Sequence, residues 1–307
     1  MELHQLRYFV EVVQTGSFTQ AAKRCNVTQP TLSHQIRKLE DELGEPLLQR
    51  RKQGVLPTPL GRSFFNHAIS ILGGVRAAQE EVASFTTELK GSLHLGMIPT
   101  VAPYLSPMLL KACRAEAPQL TFKITEDTTE NLLAAMKTGV IDVALLSLPI
   151  EGSEWEIQNL LEDEILVALA EDHPLGQGGD VPVSSCQKES LVLMKEAHCL
   201  RGQSLKICHR AGWEPEVYLV SSQIETLLAL VETGMGISFV PALAQSAAAS
   251  RKVNLRSLAP ERHYRTISLV RPRKNVPTRA ISRFYEICAL VFQPDRCLID
   301  NNKARHI

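Results

Sequence analysis

The chain has 307 residues, of which 44% are hydrophobic and 21% charged, a composition typical of a globular protein with two or three folded units. No stretch approaches the ~20 apolar residues that a membrane-spanning helix needs, and the amphipathic start MELHQLRYFVEVV lacks the pattern of a secretion signal. We therefore expect a cytoplasmic protein without a membrane partner. The net charge of zero, taken alone, argues against a nucleic-acid partner.

The distribution of charge along the chain changes that conclusion. Residues 1–62 hold nine lysine and arginine residues against six acidic ones, and residues 63–250 hold eleven against 23. A basic front followed by an acidic middle is typical of a DNA-binding module joined to a domain that does not bind DNA. Residues 251–307 hold thirteen basic residues against four acidic ones, which indicates either a solvated face or a second DNA contact.

The first sixty residues predict a helix-turn-helix. Apolar residues recur at helical spacing from residue 3 to residue 13. Ser17 is a candidate N-cap for a second helix, and Thr28 is one for a third helix that has Pro30 in its first turn. Gly44 ends that third helix. In such a motif the later helix enters the major groove of DNA with its first residues at the base edges.

Candidate DNA contacts follow from this arrangement. Beyond Gly44, the segment LLQRRKQGVLPTPLG predicts a β-hairpin wing with a basic tip, and a new helix starts at Thr58 and Pro59. Polar side chains can hydrogen-bond base edges, and basic ones can bind phosphate. We expect DNA contacts from Thr28, Gln29, Pro30, Thr31, Ser33, His34, Gln35, Arg37 and Lys38 in the third helix and from Arg50, Arg51 and Lys52 in the wing.

This segment resembles the LysR-type transcriptional regulators. The resemblance is carried by S-F-T-Q-A-A at 17–22, followed by T-Q-P-T-L-S-x-Q-I-x-x-L-E-x-x-L-G at 28–44. It implies a winged helix-turn-helix over residues 1–58 that binds double-stranded promoter DNA as a homodimer, usually assembled into a homotetramer. It also implies RNA polymerase as a partner and a regulator rather than an enzyme.

Residues 59–91 predict a linker helix followed by a hinge at Lys90, Gly91 and Ser92. Apolar residues recur at helical spacing as far as Phe85, and no other nearby segment covers that face. A second copy of the helix is the economical partner, so we expect dimerisation here. The alternative is a helix that packs on its own domain.

Strand-like and helix-like segments alternate over residues 92–292, which predicts parallel sheets covered by helices. We expect two α/β lobes, the first from about 92–163 and 267–292 and the second from about 164–266. The whole chain is then an α+β protein whose two-lobed effector domain resembles a periplasmic binding protein. The cleft between the lobes is the default ligand site. Residues 293–307 are predicted to be a disordered tail.

Seven cysteines are spread along the chain without a CxxC pair or zinc-ligand spacing, so we expect thiols, no metal and no cofactor. Cys199 and Cys208 stand nine residues apart, and Cys199 precedes a predicted helix over 200–209. A helix N-terminus and nearby cations lower a thiol pKa, and such a thiol can react with peroxide and be trapped by a second thiol.

Nine helical residues span ~13 Å, whereas a disulfide needs Cα atoms within ~7 Å, so a disulfide here would remodel the helix. The alternative is that the two cysteines are unrelated. The stretch resembles the peroxide-sensing members of the LysR family, which have H-C-L-R-D-Q at this place; similarity extends to 96–105, 128–133, 222–227 and 234–244. By that resemblance Cys199 is the peroxidatic and Cys208 the resolving cysteine, and the peroxide pocket is lined by Thr100, Thr129, His198 and Arg201.

Gly202 is a departure, since those members usually have an acidic residue there. The sign of its effect on peroxide sensitivity is open. Three hypotheses for function remain. The first is a peroxide-sensing regulator of oxidative-stress genes switched by a Cys199–Cys208 disulfide. The second is a LysR-type regulator that binds a small organic anion between the lobes. The third, a thiol peroxidase, has the DNA-binding module against it.

Overall fold

The computed structural model describes residues 1–51, 54–83 and 91–293. The N-terminal domain contains three short helices and a two-stranded wing, and a long helix leads out of it. These elements are α1 (Leu3–Thr15), α2 (Phe18–Arg24), α3 (Gln29–Leu43), β1 (Leu48–Arg51), β2 (Gly54–Pro57) and α4 (Pro59–Ala83).

Local capping residues set the ends of these helices. The Ser17 hydroxyl accepts a hydrogen bond from the Gln20 amide at 3.3 Å, and the Thr28 hydroxyl accepts one from the Thr31 amide at 3.4 Å. Gly44 follows α3 with a φ of 76°, a left-handed conformation that favours glycine. All three predicted helix boundaries are confirmed.

A carboxylate of α3 holds the wing in place. Glu40 Oε1 accepts hydrogen bonds from the backbone amides of Leu47 and Leu48 at 2.8 and 3.0 Å. On the other strand the Val55 amide donates to the Gly16 carbonyl at 2.9 Å, just after α1. The wing is therefore fixed relative to α3, the helix predicted to enter the major groove.

The linker helix α4 packs partly on its own domain. The Phe9 ring of α1 meets the rings of Phe64 and Phe65 edge-on, with centroids 5.4 and 6.3 Å apart. Further along, Ile71 is 40% exposed and Val82 is 71% exposed. The first half of α4 thus has its partner within the chain, and the second half keeps exposed apolar side chains for the predicted dimer contact.

Two polar contacts join the front of the molecule to the rear domain. The Gln14 amide of α1 donates to the Thr138 carbonyl at 2.5 Å. Arg76 of α4 forms an ion pair with Asp142 at 2.8 Å. A change in the rear domain near residues 138–142 would therefore reach both the DNA-binding domain and the linker.

The rear domain has two lobes built on strands and covering helices. Its strands are β3 (Gly91–Met97), β4 (Leu120–Glu126), β5 (Val143–Ser147), β6 (Trp155–Ala170), β7 (Val181–Pro182), β8 (Leu191–Met194), β9 (Val217–Ser221), β10 (Ser238–Pro241), β11 (Val253–Arg256), β12 (Leu258–Ala259) and β13 (His263–Pro272). Its α-helices are α5 (Ala102–Glu116), α6 (Thr129–Lys137), α7 (Cys199–Arg210), α8 (Ile224–Glu232), α9 (Gln245–Ala248) and α10 (Arg279–Val291), and a 3₁₀ helix covers Val183–Lys188.

The largest sheet runs through both lobes. Its order is β10-β6-β13-β5-β3-β4, with β11 also paired to β6. Strands β3, β4 and β5 are parallel, as predicted, but β6 and β13 are long antiparallel neighbours that cross from one lobe to the other. The expectation of parallel sheets is therefore confirmed for β3, β4 and β5 and for the pair β8 and β9, and it is wrong for the pairings of β6 and β13. It missed the first half of β6, whose acidic side chains obscure the strand pattern.

Those acidic side chains meet arginines of β13. Asp163 and Arg265 are cross-strand partners, as are Glu156 and Arg271, and each pair forms an ion pair. Opposite charges at facing positions stabilise an antiparallel pair. Part of the basic excess in the last segment of the chain is therefore paired within the sheet instead of facing DNA or solvent.

Each lobe has its own hydrophobic core, and a third core lies in the N-terminal domain. The α+β class with a winged helix-turn-helix, a linker helix and a two-lobed domain is confirmed. Gly91 and Ser92, predicted as a hinge, are instead the first residues of β3. Lys90 and the predicted disordered tail from residue 294 lie outside the described residues. Among the described helices, none is long and apolar enough to cross a membrane.

Candidate functional site

One face of α3 is exposed and polar, and it carries most of the predicted DNA contacts. Arg37 and Lys38 are exposed near its middle, and the exposed Arg51 begins the wing tip. The Arg50 side chain and the whole of Lys52 lie outside the described part of the chain. The exposed candidates are Thr28, Pro30, Thr31, His34, Arg37, Lys38 and Arg51, and the partly exposed ones are Gln29, Ser33 and Gln35.

The side chain of Gln35 is held from α1. Its Oε1 lies 3.2 Å from both Gln5 Nε2 and His4 Nε2. Gln5 is itself buried and also accepts a hydrogen bond from the Glu2 amide at 2.8 Å. The sequence did not indicate that Gln5 orients Gln35, because a polar residue in the first turn of an amphipathic helix has no pattern that reveals its contact with another helix.

The second candidate site lies where the two lobes meet, at the start of α7. Cys199 is the first residue of this helix, and His198 precedes it in an extended conformation. Cys199 packs against the core of the first lobe, whereas Leu200, Ile207 and Cys208 of the same helix belong to the core of the second. The position of Cys199 near the positive end of a helix is confirmed.

The positive charge of a buried arginine acts on the Cys199 thiol. Arg265 of β13 donates through Nε to Asp163 Oδ2 at 2.9 Å and through Nη1 to Thr100 Oγ1 at 2.7 Å. Its Nη2 donates to the Thr100 carbonyl at 3.0 Å. The side chains of both Arg265 and Asp163 are almost fully buried, so this positive charge is fixed in place at the crossing of the lobes.

Two opposing effects act on the pKa of Cys199. Burial raises it above its ordinary value, and this is the larger effect. The charge of Arg265, the backbone amide of Leu200 and the hydroxyl of Thr129 act in the other direction. The expected low pKa is therefore not found in this conformation. The thiol is protonated at neutral pH, inside a setting that stabilises negative charge once it develops.

Thr129 and Thr100 approach the site from the first lobe. The Thr129 hydroxyl lies at the start of α6, is buried, and has no regular hydrogen-bond partner among the described residues. It is nevertheless close enough to the Cys199 thiol to lower the pKa of that group. Thr100 is 1% exposed and reaches the site through its bond to Arg265. A buried hydroxyl whose partner is a reactive thiol is suited to a small polar ligand.

His198 and Arg201 are placed differently. Burial lowers the pKa of His198, so its imidazole is neutral near pH 7. Arg201 donates to the Met194 carbonyl at 3.3 Å and lies 4.0 Å from the Glu196 carboxylate. The structure thus brings Thr129 and Arg265 to Cys199, whereas the guanidinium of Arg201 is engaged elsewhere. The pocket roles of His198 and Arg201 stay predictions.

Cys208 lies near the other end of α7, fully buried in the second lobe. The pKa of its thiol is raised to about 12, mainly because the thiol is buried. Because the residues between the two cysteines form one continuous helix, their Cα atoms are separated by ~13 Å. The two thiols cannot join unless α7 is remodelled.

Gln203 ties α7 to the first lobe. Its Nε2 donates to the Ser147 hydroxyl at 2.9 Å and to the Leu148 carbonyl at 3.2 Å, both at the end of β5. Sequence reasoning missed Gln203 and Arg265. Gln203 is an ordinary helix residue by type, and Arg265 is 66 positions from Cys199, so no local pattern points to either.

Comparison with known proteins defines the class. Residues 3–62 match the bacterial regulatory helix-turn-helix protein model of the lysR family, and residues 86–293 match the LysR substrate binding domain. The chain belongs to the LysR family of DNA-binding transcriptional regulators.

Within that family, the chain is similar to proteins that are named OxyR or hydrogen peroxide-inducible genes activator. The chain is 36% identical over 272 residues to the DNA-binding transcriptional dual regulator OxyR of Escherichia coli K12, covering 88% of this chain and 89% of that protein. It is 34% identical to the hydrogen peroxide-inducible genes activator of Haemophilus influenzae, covering 99% and 100%. Full-length OxyR C199D from Pseudomonas aeruginosa superposes with a TM-score of 0.81 at 30% identity, covering 95% and 94%. The predicted resemblance to the peroxide-sensing members is confirmed.

Proposed function

We propose that this LysR-family regulator senses hydrogen peroxide through a reversible Cys199–Cys208 disulfide and controls oxidative-stress genes. The observation that carries the proposal is the position of the Cys199 thiol at the first residue of α7, packed on the core of the first lobe and within reach of the Thr129 hydroxyl and the buried Arg265 charge. The relatives named as peroxide-inducible activators support the same function.

Two chemical steps make the switch. In the first, Cys199 loses its proton and its sulfur attacks one oxygen of hydrogen peroxide, so that the O–O bond breaks, the thiol becomes a sulfenic acid and water leaves. In the second, the Cys208 thiol attacks the sulfenic sulfur, the S–S bond forms and a second water leaves. One molecule of peroxide is reduced, and the two thiols are oxidised to one disulfide.

The residues around Cys199 serve the first step. Arg265 and the first amides of α7 stabilise the negative charge that develops on sulfur, in a site that excludes most water. The Thr129 hydroxyl, which reaches the Cys199 thiol, hydrogen-bonds the bound peroxide in this proposal. Thr100 keeps Arg265 oriented through its hydroxyl and carbonyl, so it acts on the sulfur through the arginine.

The second step converts chemistry into a change of shape. Joining the sulfurs requires α7 to unwind, which breaks its contacts with the second core and the Gln203 bonds to β5. Residues 138–142 connect α6 to β5 in the same lobe. Thr138 accepts the hydrogen bond from Gln14, and Asp142 forms the ion pair with Arg76. A shift in the first lobe therefore reaches α1 and the linker helix.

The change of shape acts on the binding of promoter DNA. The exposed face of α3 and the wing bind double-stranded DNA, with the second half of α4 joining two chains into a dimer and dimers pairing as a tetramer. Oxidation changes the spacing or angle of the DNA-binding domains and so the contact with RNA polymerase. The protein works in the cytoplasm, where it meets the promoter.

The experiment uses the full chain with a promoter reporter and single variants. Cys199→Ser abolishes induction by peroxide, and Cys208→Ser leaves a sulfenic acid at Cys199 that a dimedone probe detects but gives no induction. Cys113→Ser, a buried cysteine of the first lobe, is the control and keeps the response. Induction that survives in Cys199→Ser would overturn the proposal.

A further inference from the structure

A third thiol lies in the same buried core as Cys208. Cys186, in the 3₁₀ helix Val183–Lys188, is fully buried in the core of the second lobe, and so is Cys208. The 3₁₀ helix packs directly on α7. Burial is the largest effect that raises the pKa of Cys208, and the charge of an ionised Cys186 would act in the same direction. Cys186 has no role in the two-step switch described above.

In the folded conformation, Cys208 is far from its proposed disulfide partner Cys199 and shares a core with Cys186. Cys208 is separated from Cys199 by nine residues of intact helix, whereas Cys186 and Cys208 share one buried core while α7 is folded. A bond to Cys199 therefore opposes the helix, whereas a bond to Cys186 would join two residues of a single packed core.

We propose that Cys186 resets the switch by thiol–disulfide exchange, attacking the Cys208 sulfur of the Cys199–Cys208 disulfide and releasing Cys199. The inference rests on the proposed function, which supplies that first disulfide. Its consequence is that α7 refolds and Cys199 returns to its site while the chain still carries one disulfide, now Cys186–Cys208. The signal then ends without a reductant.

The exchange balances in atoms and electrons. Cys186 gives up its proton and its sulfur bonds to Cys208, the bond between Cys208 and Cys199 breaks, and Cys199 leaves as a thiolate that takes up a proton. One disulfide is consumed and one is formed, so the total oxidation is unchanged. No oxidant beyond the peroxide of the first step is required.

The order of the two disulfides follows from burial. Burial raises the pKa of Cys186 to about 12, so its thiol is protonated and unreactive while the second core is packed. Unwinding of α7 by the first disulfide opens that core. The Cys186–Cys208 bond therefore forms after the Cys199–Cys208 bond and at its expense.

Tryptic peptides separate the three cysteines. Cleavage after lysine and arginine places Cys186 in peptide 138–188, Cys199 in peptide 196–201 and Cys208 in peptide 207–210. The full-length protein receives one equivalent of hydrogen peroxide, is quenched in acid with an alkylating agent at intervals, and is mapped by mass spectrometry. We expect peptide 207–210 to be linked first to 196–201 and later to 138–188, with Cys199 becoming alkylatable again.

Variants isolate the exchange. Cys186→Ala and Cys186→Ser lose the later product, and their first link persists until reductant is added. The matched control is Cys113→Ala, which removes a buried thiol of the first lobe whose neighbour is Cys288, and it keeps both products in order. If a Cys186 variant does not fold, the time course of the unmodified chain decides alone.

The outcomes distinguish the two proposals. A first link that forms and remains, with peptide 138–188 always unlinked, overturns the exchange and leaves the proposed function standing. Absence of both links at every time point, with Cys199 alkylatable throughout, overturns the proposed function. A link between peptides 138–188 and 207–210 in Cys199→Ser would mean that Cys186 and Cys208 are oxidised directly, which contradicts exchange.

Discussion

The two ends of α7 are built from opposite environments. At its first residue, Cys199 faces a buried arginine, a buried hydroxyl and the free amides of the helix. Near its last turn, Cys208 lies among apolar side chains, and burial is the main cause that raises the pKa of its thiol to about 12. The polar end carries the thiol of the proposed first oxidation, and the apolar end keeps the other thiol buried. The intact helix between them keeps the two thiols apart.

Removing the charge at the reactive end gives the largest expected effect. Arg265→Met leaves Asp163 buried without its partner, and breaking a buried ion pair costs about 3–5 kcal/mol of the free energy of unfolding. Chemical denaturation monitored by circular dichroism measures that loss. In the folded variant, Cys199 should also be oxidised by peroxide more slowly than in the unmodified chain, as measured by timed alkylation of the thiol that remains.

Arg262→Met is the matched control for that change. Arg262 forms exposed ion pairs with Glu164 and Asp180, and such pairs contribute at most ~1 kcal/mol. Equal losses of stability in the two variants would show that the buried pair has no special importance to the lobe crossing.

The next largest expected effect is the pH dependence of Cys199 oxidation. Because burial holds the pKa of Cys199 above its ordinary value, the thiolate fraction rises roughly tenfold per pH unit between about pH 7 and about pH 8.5. The rate of Cys199 oxidation, measured by stopped-flow in a Cys208→Ser background, should rise with the same slope. A plateau within this range would mean that the pKa is lowered and that Arg265 outweighs burial.

Loosening the tie between α7 and the first lobe has a smaller effect. Gln203→Ala removes the hydrogen bonds to Ser147 and Leu148 and destabilises the reduced conformation by about 1–3 kcal/mol. Disulfide formation after oxidation should therefore be faster, as followed by timed alkylation and peptide mapping. Gln245→Ala, an exposed residue of α9, is the control and should leave the rate unchanged.

The smallest effect comes from Gly202. A Cβ at this exposed position of α7 meets nothing within 4 Å in the described structure, so Gly202→Ala stabilises the helix by up to ~1 kcal/mol. Since the disulfide requires unwinding, its formation should be slowed about fivefold while the first oxidation is unchanged. The loop variant Gly179→Ala controls for a general effect. A faster disulfide in Gly202→Ala would contradict the role of helix unwinding.

The sequence predicts those helix ends and strands that are determined by residues close to them in the chain. Ser17, Thr28 and Gly44 set helix ends through contacts within a few residues, and the start of α7 at Cys199 follows the same logic. Strands β3 to β5 show the apolar pattern of buried strands. These features depend on local physics that a single sequence displays.

The residues that complete the cysteine site could not be predicted. Arg265 reaches Cys199 only because β13 pairs with β6 in a register that opposes Arg265 to Asp163. The first half of β6 is obscured by charged residues whose partners are a hundred positions away. Gln203 gains its role from a contact between lobes. Each depends on long-range pairing that no local pattern encodes.

Hydrogen exchange across α7 tests the central claim most directly. The backbone amides of residues 203–210 are protected by the intact helix in the reduced chain, and formation of the Cys199–Cys208 disulfide should remove that protection, because the sulfurs cannot meet across ~13 Å of helix. Mass spectrometry before and after one equivalent of peroxide measures it, with α10 as the internal reference. A chain in which the disulfide has formed while these amides stay fully protected would contradict the account.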